Sequence, residues 1–378
     1  MKPLVLVSTR ADDADFYYAT RMPVEIGFYV RFAEGDDVLL VSTMEKERAQ
    51  ASSTAKQILN FREAGLQPGE NPERVAGRLI AGVLRARDQS SVRISPWLPV
   101  SYFKQLEAED VAAEVEQELF VDERRRKSEE EAGFIHGAQR AAEAACVEVI
   151  GMLGTADVRD GRLWTEGEPL TSERLMAEAN YALNTIGYSC ADIIVAGSPG
   201  AAMPHFRGEG QINAGAPVII DIFPRGSTSR YHGDLTRTVV VGDIPDEVRR
   251  MHDAVCKALD AAIAAIRPGV NGRDVNAAAC QVLVDAGYAT AIPGFEGKQD
   301  APSMIHSTGH GVGLAVHEWP VLSTLDMPLR EGDVVTVEPG LYQPGLGGVR
   351  VEDTGIVTRD GFRNFTSISR SLDPRAYL

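Results

Sequence analysis

Cysteine is scarce in this sequence. The four thiols, Cys146, Cys190, Cys256 and Cys280, stand far apart and form no Cys-x-x-Cys pair, which excludes a thiolate zinc site or a disulfide framework as the organising feature and suits a reducing cytoplasm. Long apolar runs are missing too. No stretch approaches the ~20 residues of a bilayer-crossing helix, and Leu4–Val7, behind the single basic Lys2, is too short for the core of a signal peptide. Neither secretion nor membrane insertion is expected, and the chain reads as cytoplasmic. The third deficit is positive charge: 38 Lys plus Arg against 54 Asp plus Glu leave a formal charge of −16. That balance opposes nucleic acid or an anionic membrane as a partner, because phosphate recognition needs clustered Lys and Arg. Solubility is the simplest meaning of the acid excess, service to a metal the second, and positions must decide between them.

What is present is ordinary globular material, 44% hydrophobic and 24% charged over 378 residues, more than one hydrophobic core usually spans, so two domains are expected. In the first third, Leu4–Val7, Phe28–Phe32 and Val38–Val41 read as strands, and Lys46–Glu63 and Glu73–Arg87 as helices. This mixture predicts a small α/β domain over residues 1–125. Glu107–Lys127 is unusually charged and ends in Asp122-Glu123-Arg124-Arg125-Arg126-Lys127; it reads as a solvated helix face or interdomain connector. Ser128 followed by Glu131 has capping-box spacing and opens the second domain, residues 126–378. Its order is helix (128–152), helix (173–187), strands Asp192–Ala196, Val218–Phe223 and Thr236–Val241, then helix (246–266), helix (272–286) and strands Val334–Glu338 and Val349–Val357. Helix, helix, strands thus occurs twice, an α+β duplication with a sheet enclosed by helices.

Five residues at the edges of these strands could hold metal: Asp221, Asp234, His310, Glu338 and Glu352. Asp221 ends the run Pro217-Val218-Ile219-Ile220, and Asp234 opens a strand after a connection containing Pro224, Gly226 and Gly233. Glu338 follows Val334-Val335-Thr336-Val337, and Glu352 alternates with Val349 and Val351. Any one of these acids alone reads as a capping or salt-bridged carboxylate. Four on one sheet would repel and hold protons unless cations compensated them, which two divalent ions would do. Oxygen ligands with one imidazole suit manganese foremost, then cobalt or iron, and tolerate zinc. His306, His310 and His317 are three of the seven histidines and fall in one segment. Their Gly309, Gly311 and Gly313 make a helix costly, so an extended, glycine-kinked strand beside a ligand is expected. His136 and His252 read as surface or core residues, and His232, close to Asp234, is ambiguous.

The ordered set Ile220-Asp221, Gly233-Asp234-Leu235-Thr236-Arg237-Thr238, Gly309-His310-Gly311-Val312-Gly313-Leu314 with Val316-His317-Glu318, Val337-Glu338-Pro339-Gly340-Leu341-Tyr342 and Val349-Arg350-Val351-Glu352-Asp353 resembles the pita-bread metallopeptidases. That family includes aminopeptidase P, prolidase and methionine aminopeptidase, and the resemblance runs from residue 128 to the C-terminus. Asp15-Phe16-Tyr17-Tyr18-Ala19-Thr20 and Glu34-Gly35-Asp36 through Glu45 resemble the creatinase-like N-terminal domain of the proline-directed branch, which methionine aminopeptidases generally lack. The resemblance implies that Asp221 and Asp234 bind metal, with Asp234 bridging, that His310 and Glu338 complete one ion, and that Glu352 bridges both. His205, in Met203-Pro204-His205-Phe206, matches a substrate-side histidine of the family, as do His306 and His317. Arg350 is expected to position Glu352 or line the substrate pocket. Asp221 and Asp234 are 13 positions apart, about two more than the family pattern, and a bulge or longer hairpin in Pro224–Tyr231 would absorb the difference.

The activity so implied is hydrolysis of the amide bond before proline at the N-terminus of dipeptides or short peptides. Two ions lower the pKa of a shared water, Glu338 takes its proton and passes it on, His317 stabilises the oxyanion, and His205 and His306 hold the carbonyl and the proline-side atoms. A metal-free creatinase-like hydrolase and a non-catalytic peptide-binding module are the alternatives, and the complete ligand and histidine sets weigh against both. A homodimer is expected, because the family's N-terminal domain commonly packs against a neighbour.

Overall fold

The computed structural model describes residues 2–33, 35–294, 296 and 301–377. Glu34, quoted above within the N-terminal resemblance, lies outside them. The chain divides into two units, Met1–Asp122 and Glu123–Leu378, so the break precedes the one expected after residue 125.

The smaller unit is built on a six-stranded sheet in the order Gln57–Asn60, Asp37–Val41, Gly27–Arg31, Leu4–Ser8, Ser91–Ile94, Ala112–Val115. Its central strands are apolar on both faces, as strands covered on two sides must be. Val5, Val30, Val38 and Leu40 pack with the helices Ala76–Arg85 and Val100–Ala108. Leu4, Leu6, Tyr29 and Leu39 pack instead with Phe16 and Ala49, from the helices Ala14–Thr20 and Lys46–Ser52. The helix expected over Lys46–Glu63 therefore ends early, and Gln57–Asn60 forms an edge strand parallel to Asp37–Val41. Ala49 is the buried residue of that short helix, so little apolar area supports a longer one. Ser53 then leaves helical geometry, its hydroxyl donating to Thr20 O at 2.7 Å.

The larger unit opens with the helix Glu129–Gly154, closed at its start by the reciprocal Ser128–Glu131 capping box. This helix packs with Ser172–Thr185, and Asp246–Ala265 packs with Gly272–Asp285. Each pair seals one half of the sheet system: the first buries Val218, Ile220, Ile222, Leu235 and Val239, the second Val335, Val337, Leu341, Val349 and Val351. Strand side chains alternate between faces. Asp221, Thr236, Thr336 and Arg350 therefore turn away from the helices, and Asp234, Glu338 and Glu352 continue the same registers beyond the strand ends. Among the described residues, no helix is long and apolar enough to cross a membrane.

Pro217–Ile222 and Leu235–Val240 pair antiparallel with Asp221 opposite Thr236 and Ile222 opposite Leu235, which puts Asp234 diagonal to Asp221, two positions before its cross-strand partner. Their connection is a longer hairpin in which Arg225–Gly226 pairs with Tyr188–Ser189 and Arg225 bridges to His232. The strand expected over Val349–Val357 is in fact two, Gly347–Arg350 and Asp353–Thr358, in separate sheets. Val351 N donates to Pro339 O and Glu352 N to Thr236 O. The backbone changes hydrogen-bond partners at that point, and Glu352 sits at the junction.

The charged run before Ser128 is solvated only in part, at Asp122, Glu123 and Arg126. Arg125 is 4% and Lys127 7% exposed. Arg125 donates to both oxygens of the buried Asp333 at 3.0 and 2.8 Å and to Pro328 O, while Lys127 donates to Glu318 at 2.6 Å. These partners lie 208 and 191 positions further on, beyond the reach of a local charge pattern, and they draw residues 123–127 into the larger unit. Replacing Arg125 with Met leaves the Asp333 charge buried without its guanidinium. The expected loss is about 3–5 kcal/mol of unfolding free energy in urea, and a loss below ~1 kcal/mol would show that the pair does not anchor the segment.

Candidate metal centre

One ligand atom each from Asp234, His310 and Glu352 lie within 4.8 Å of one another. His310 Nε2 is 3.6 Å from Asp234 Oδ2 and 3.4 Å from Glu338 Oε1. Its Nδ1 lies 3.0 Å from Gly311 O. A carbonyl only accepts, so Nδ1 carries the hydrogen and Nε2 turns its lone pair toward two carboxylates. That arrangement is repulsive by itself and becomes attractive around a cation. The strand Gly309–Gly311 needs its glycines to reach this position. A Cβ at Gly309 would come within 2.1 Å of Thr336 O, and one at Gly311 within 2.4 Å of Trp319 O.

The remaining ligand candidates are held from behind. Asp234 N donates to Gln139 Oε1, and its carbonyl accepts from Thr354 Oγ1, both at 2.8 Å. Glu352 Oε2 accepts from Thr236 Oγ1 at 2.9 Å. The buried Arg237 donates to Glu352 O, to Asp353 and to the carbonyls of Ile368 and Ser369, anchoring the backbone beneath Glu352. Asp221 stands outside the group of three, but its charge acts on Asp234, Glu338 and Glu352. Its Oδ2 accepts from Arg350 at 2.6 Å, whereas Oδ1 is buried without a hydrogen-bond partner.

The electrostatics agree with the geometry. Burial pushes Asp234 and Glu352 well above the ordinary carboxylate range, and the charges of neighbouring carboxylates push them further. Burial, outweighing the nearby Arg350, pushes Glu338 up to about 8. Burial, helped by His317, pushes His310 down to about 4. Carboxylates driven toward protonation, a neutral imidazole aimed at them and an orphaned carboxylate oxygen are together the signature of a site completed by cations. Oxygen donors with one imidazole fit hard divalent ions.

Of the histidines expected to face substrate, His306 donates from Nδ1 to Ser307 O and turns Nε2 to the Tyr342 hydroxyl, both at 2.8 Å. Tyr342 also receives Arg350 Nη1 at 2.8 Å. Arginine only donates, so the Tyr342 hydrogen goes to His306 Nε2 and both ring nitrogens of His306 are committed. A chain His306–Tyr342–Arg350–Asp221 results. Arg350 thus grips Asp221 directly and reaches Glu352 only through Thr236, to which its Nε donates at 3.2 Å. The His317 and His310 ring centroids are 4.3 Å apart, and burial lowers the His317 pKa. His205 is exposed and interacts electrostatically with both His306 and His317.

Tyr342, Gln139 and Arg237 play parts that residue spacing did not reveal. Tyr342 stood in the quoted motif as a bare aromatic, and Gln139 lies in a helix with no local pattern to mark it. The other histidines stay outside: His136 stacks on Phe365, His252 Nε2 meets Arg370 O, and the ring of His232 bonds the Phe223 backbone.

Hard donors on one face of a sheet whose other face is sealed by two helix pairs make a candidate divalent-metal centre on a pita-bread architecture. The chain belongs to metallopeptidase family M24, whose pattern matches residues 133–359. It is similar to the Xaa-Pro dipeptidase of Pyrococcus horikoshii, 30% identical over 286 residues, 75% of this chain and 74% of that protein. Similarity to the Xaa-Pro dipeptidase of Pyrococcus furiosus is 34% identity over 210 residues, 55% of this chain and only 56% of the relative's length. The crystal structure of the prolidase from Pyrococcus horikoshii OT3 superposes with a TM-score of 0.80 at 26% identity, covering 98% of this chain and 95% of that one.

Adding manganese to chelator-treated protein should raise its thermal unfolding midpoint by several degrees, since a ligand at ~100 times its Kd stabilises by about 2.7 kcal/mol. Asp234→Asn should abolish most of the rise. A midpoint unmoved in verified metal-free wild-type protein would refute the site.

Proposed function

We propose that this protein is a Xaa-Pro peptidase, hydrolysing the amide bond before proline at the N-terminus of dipeptides or short peptides. Two divalent ions, manganese foremost, would be held by Asp221, Asp234, His310, Glu338 and Glu352. The observation that carries this reading is the His310 lone pair aimed at Asp234 and Glu338 from 3.6 and 3.4 Å. The names of the Pyrococcus relatives support the substrate class.

Bound divalent ions supply acidity to water and polarisation to a carbonyl oxygen. Glu338 would accept the proton that water gives up and deliver it to nitrogen. That delivery is a requirement, because the tertiary amide before proline has no N–H of its own and its nitrogen leaves only when protonated. His317, whose pKa is lowered by partial desolvation, donates a ring N–H to the carbonyl oxygen as that atom becomes negative. His205 lies on the exposed side and orients the substrate. His306 has no hydrogen bond left to give, so it offers substrate its ring surface while steadying Tyr342. The Tyr342–Arg350 pair in turn holds Asp221 Oδ2 by a hydrogen bond, leaving Oδ1 for metal. A cytoplasmic homodimer is the proposed working form, and the free thiols support a reducing compartment.

Dialysis against a chelator should abolish turnover of a Xaa-Pro dipeptide and manganese should restore it; undiminished turnover in verified metal-free protein would sink the proposal. Glu338→Gln should lower kcat by about 100- to 10,000-fold. A series of Xaa-Pro and Xaa-Pro-Yaa peptides then assigns the branch: preference for dipeptides marks a prolidase, and activity on tripeptides and longer marks an aminopeptidase P.

A further inference from the structure

Glu318 is a buried carboxylate that the scheme above leaves unused. Its side chain is 9% exposed, and Oε1 accepts at 2.6 Å from Lys127 Nζ, whose side chain is 2% exposed. Oε2 is paired with Arg124 and also accepts from Ala315 N at 3.4 Å. The carboxylate lies so close to Gly313 that a Cβ there would sit 2.2 Å from Oε1. Residues 313–318 are thus wrapped around the carboxylate at the end of their own loop. Gly313 N donates to Ala315 O, Gly313 O accepts from His232 N, and Glu318 pairs with Gly311 just past a register shift. His317 immediately precedes Glu318 and places its ring beside that of His310.

A segment carrying Gly309, Gly311 and Gly313 has little side-chain packing with which to define its own path. The doubly paired carboxylate supplies that definition from inside the loop, and its cations arrive from residues 191 and 194 positions earlier in the chain. We propose that Glu318, clamped between Lys127 and Arg124, is a positioning residue that fixes His317 against the substrate carbonyl. This inference rests on the part given to His317 under the proposed function. It also gives the charged run before Ser128 a task beyond connecting two units: Arg124 and Lys127 set the placement of an imidazole at the site.

The test is a double-mutant cycle on the full-length, manganese-loaded protein, assayed with a Xaa-Pro dipeptide. Glu318→Gln should lower kcat about 10- to 100-fold with little change in KM, as displacement of a transition-state contact does. In a His317→Ala background the same substitution should cost almost nothing further. Lys127→Met, a second perturbation should Glu318→Gln fail to fold, should behave likewise, and Lys127→Arg should retain most of the activity. Equal losses in both backgrounds, or a slow His317→Ala beside a wild-type Glu318→Gln, would overturn the positioning role alone. Wild-type turnover in His317→Ala would overturn the reading of His317 itself, and this role for Glu318 with it.

Discussion

Repulsion among carboxylates forced together out of water is the constraint on which the larger unit depends. Asp234, Glu338 and Glu352 are all pushed up by burial, and Asp221 adds to the load on each. Two like charges at ~4 Å repel by about 1 kcal/mol in bulk water and about 4 kcal/mol near a protein surface, so such a cluster opposes folding until cations fill it. It is tolerated because the other face of the same strands is largely apolar. Val218, Ile220, Val335, Val337, Val349 and Val351 are sealed by the two helix pairs, each buried side chain contributing roughly 1.5–3 kcal/mol. Alternation along a strand makes these two facts one: the register that buries the valines presents the acids.

Arginine does three different things around this centre. Arg237 is a backbone anchor, tying Glu352 and Asp353 to the carbonyls of Ile368 and Ser369. Arg350 is an electrostatic element, occupying one oxygen of Asp221 and leaving the other free. Arg125, paired with Asp333, pins the entrance to the unit. Each uses the planar fork of donors that lysine lacks. Lys127, with a single charged atom, works where one oxygen of Glu318 is its target.

The candidate ligands stood out because they are residues of unusual type in apolar or glycine-rich surroundings: Asp221 at the end of an isoleucine run, Glu338 after four β-favouring residues, His310 between glycines. What connects them was not. Nothing local to Gln139 tells that its amide meets Asp234, and nothing near Arg350 tells that it grips Asp221 rather than Glu352. The helix read over Lys46–Glu63 failed for a related reason: apolar periodicity alone does not reveal that Ile58 and Leu59 have a sheet edge to join.

By itself, the sequence determined the duplicated helix-helix-strand order, the face of each strand that is buried and the residue types available to a metal. These follow from periodicities of a few residues and from the cost of isolating a carboxylate. Tertiary structure alone decided that Glu352 stands where one strand ends and another begins, that both nitrogens of His306 are spent, and that Arg125 and Lys127 are buried rather than solvated. The physical reason is the same in each case. A hydrogen bond or ion pair is specified by two partners, and here, apart from Ser307 O beside His306, the partners lie far apart along the chain and meet only when the sheet has formed.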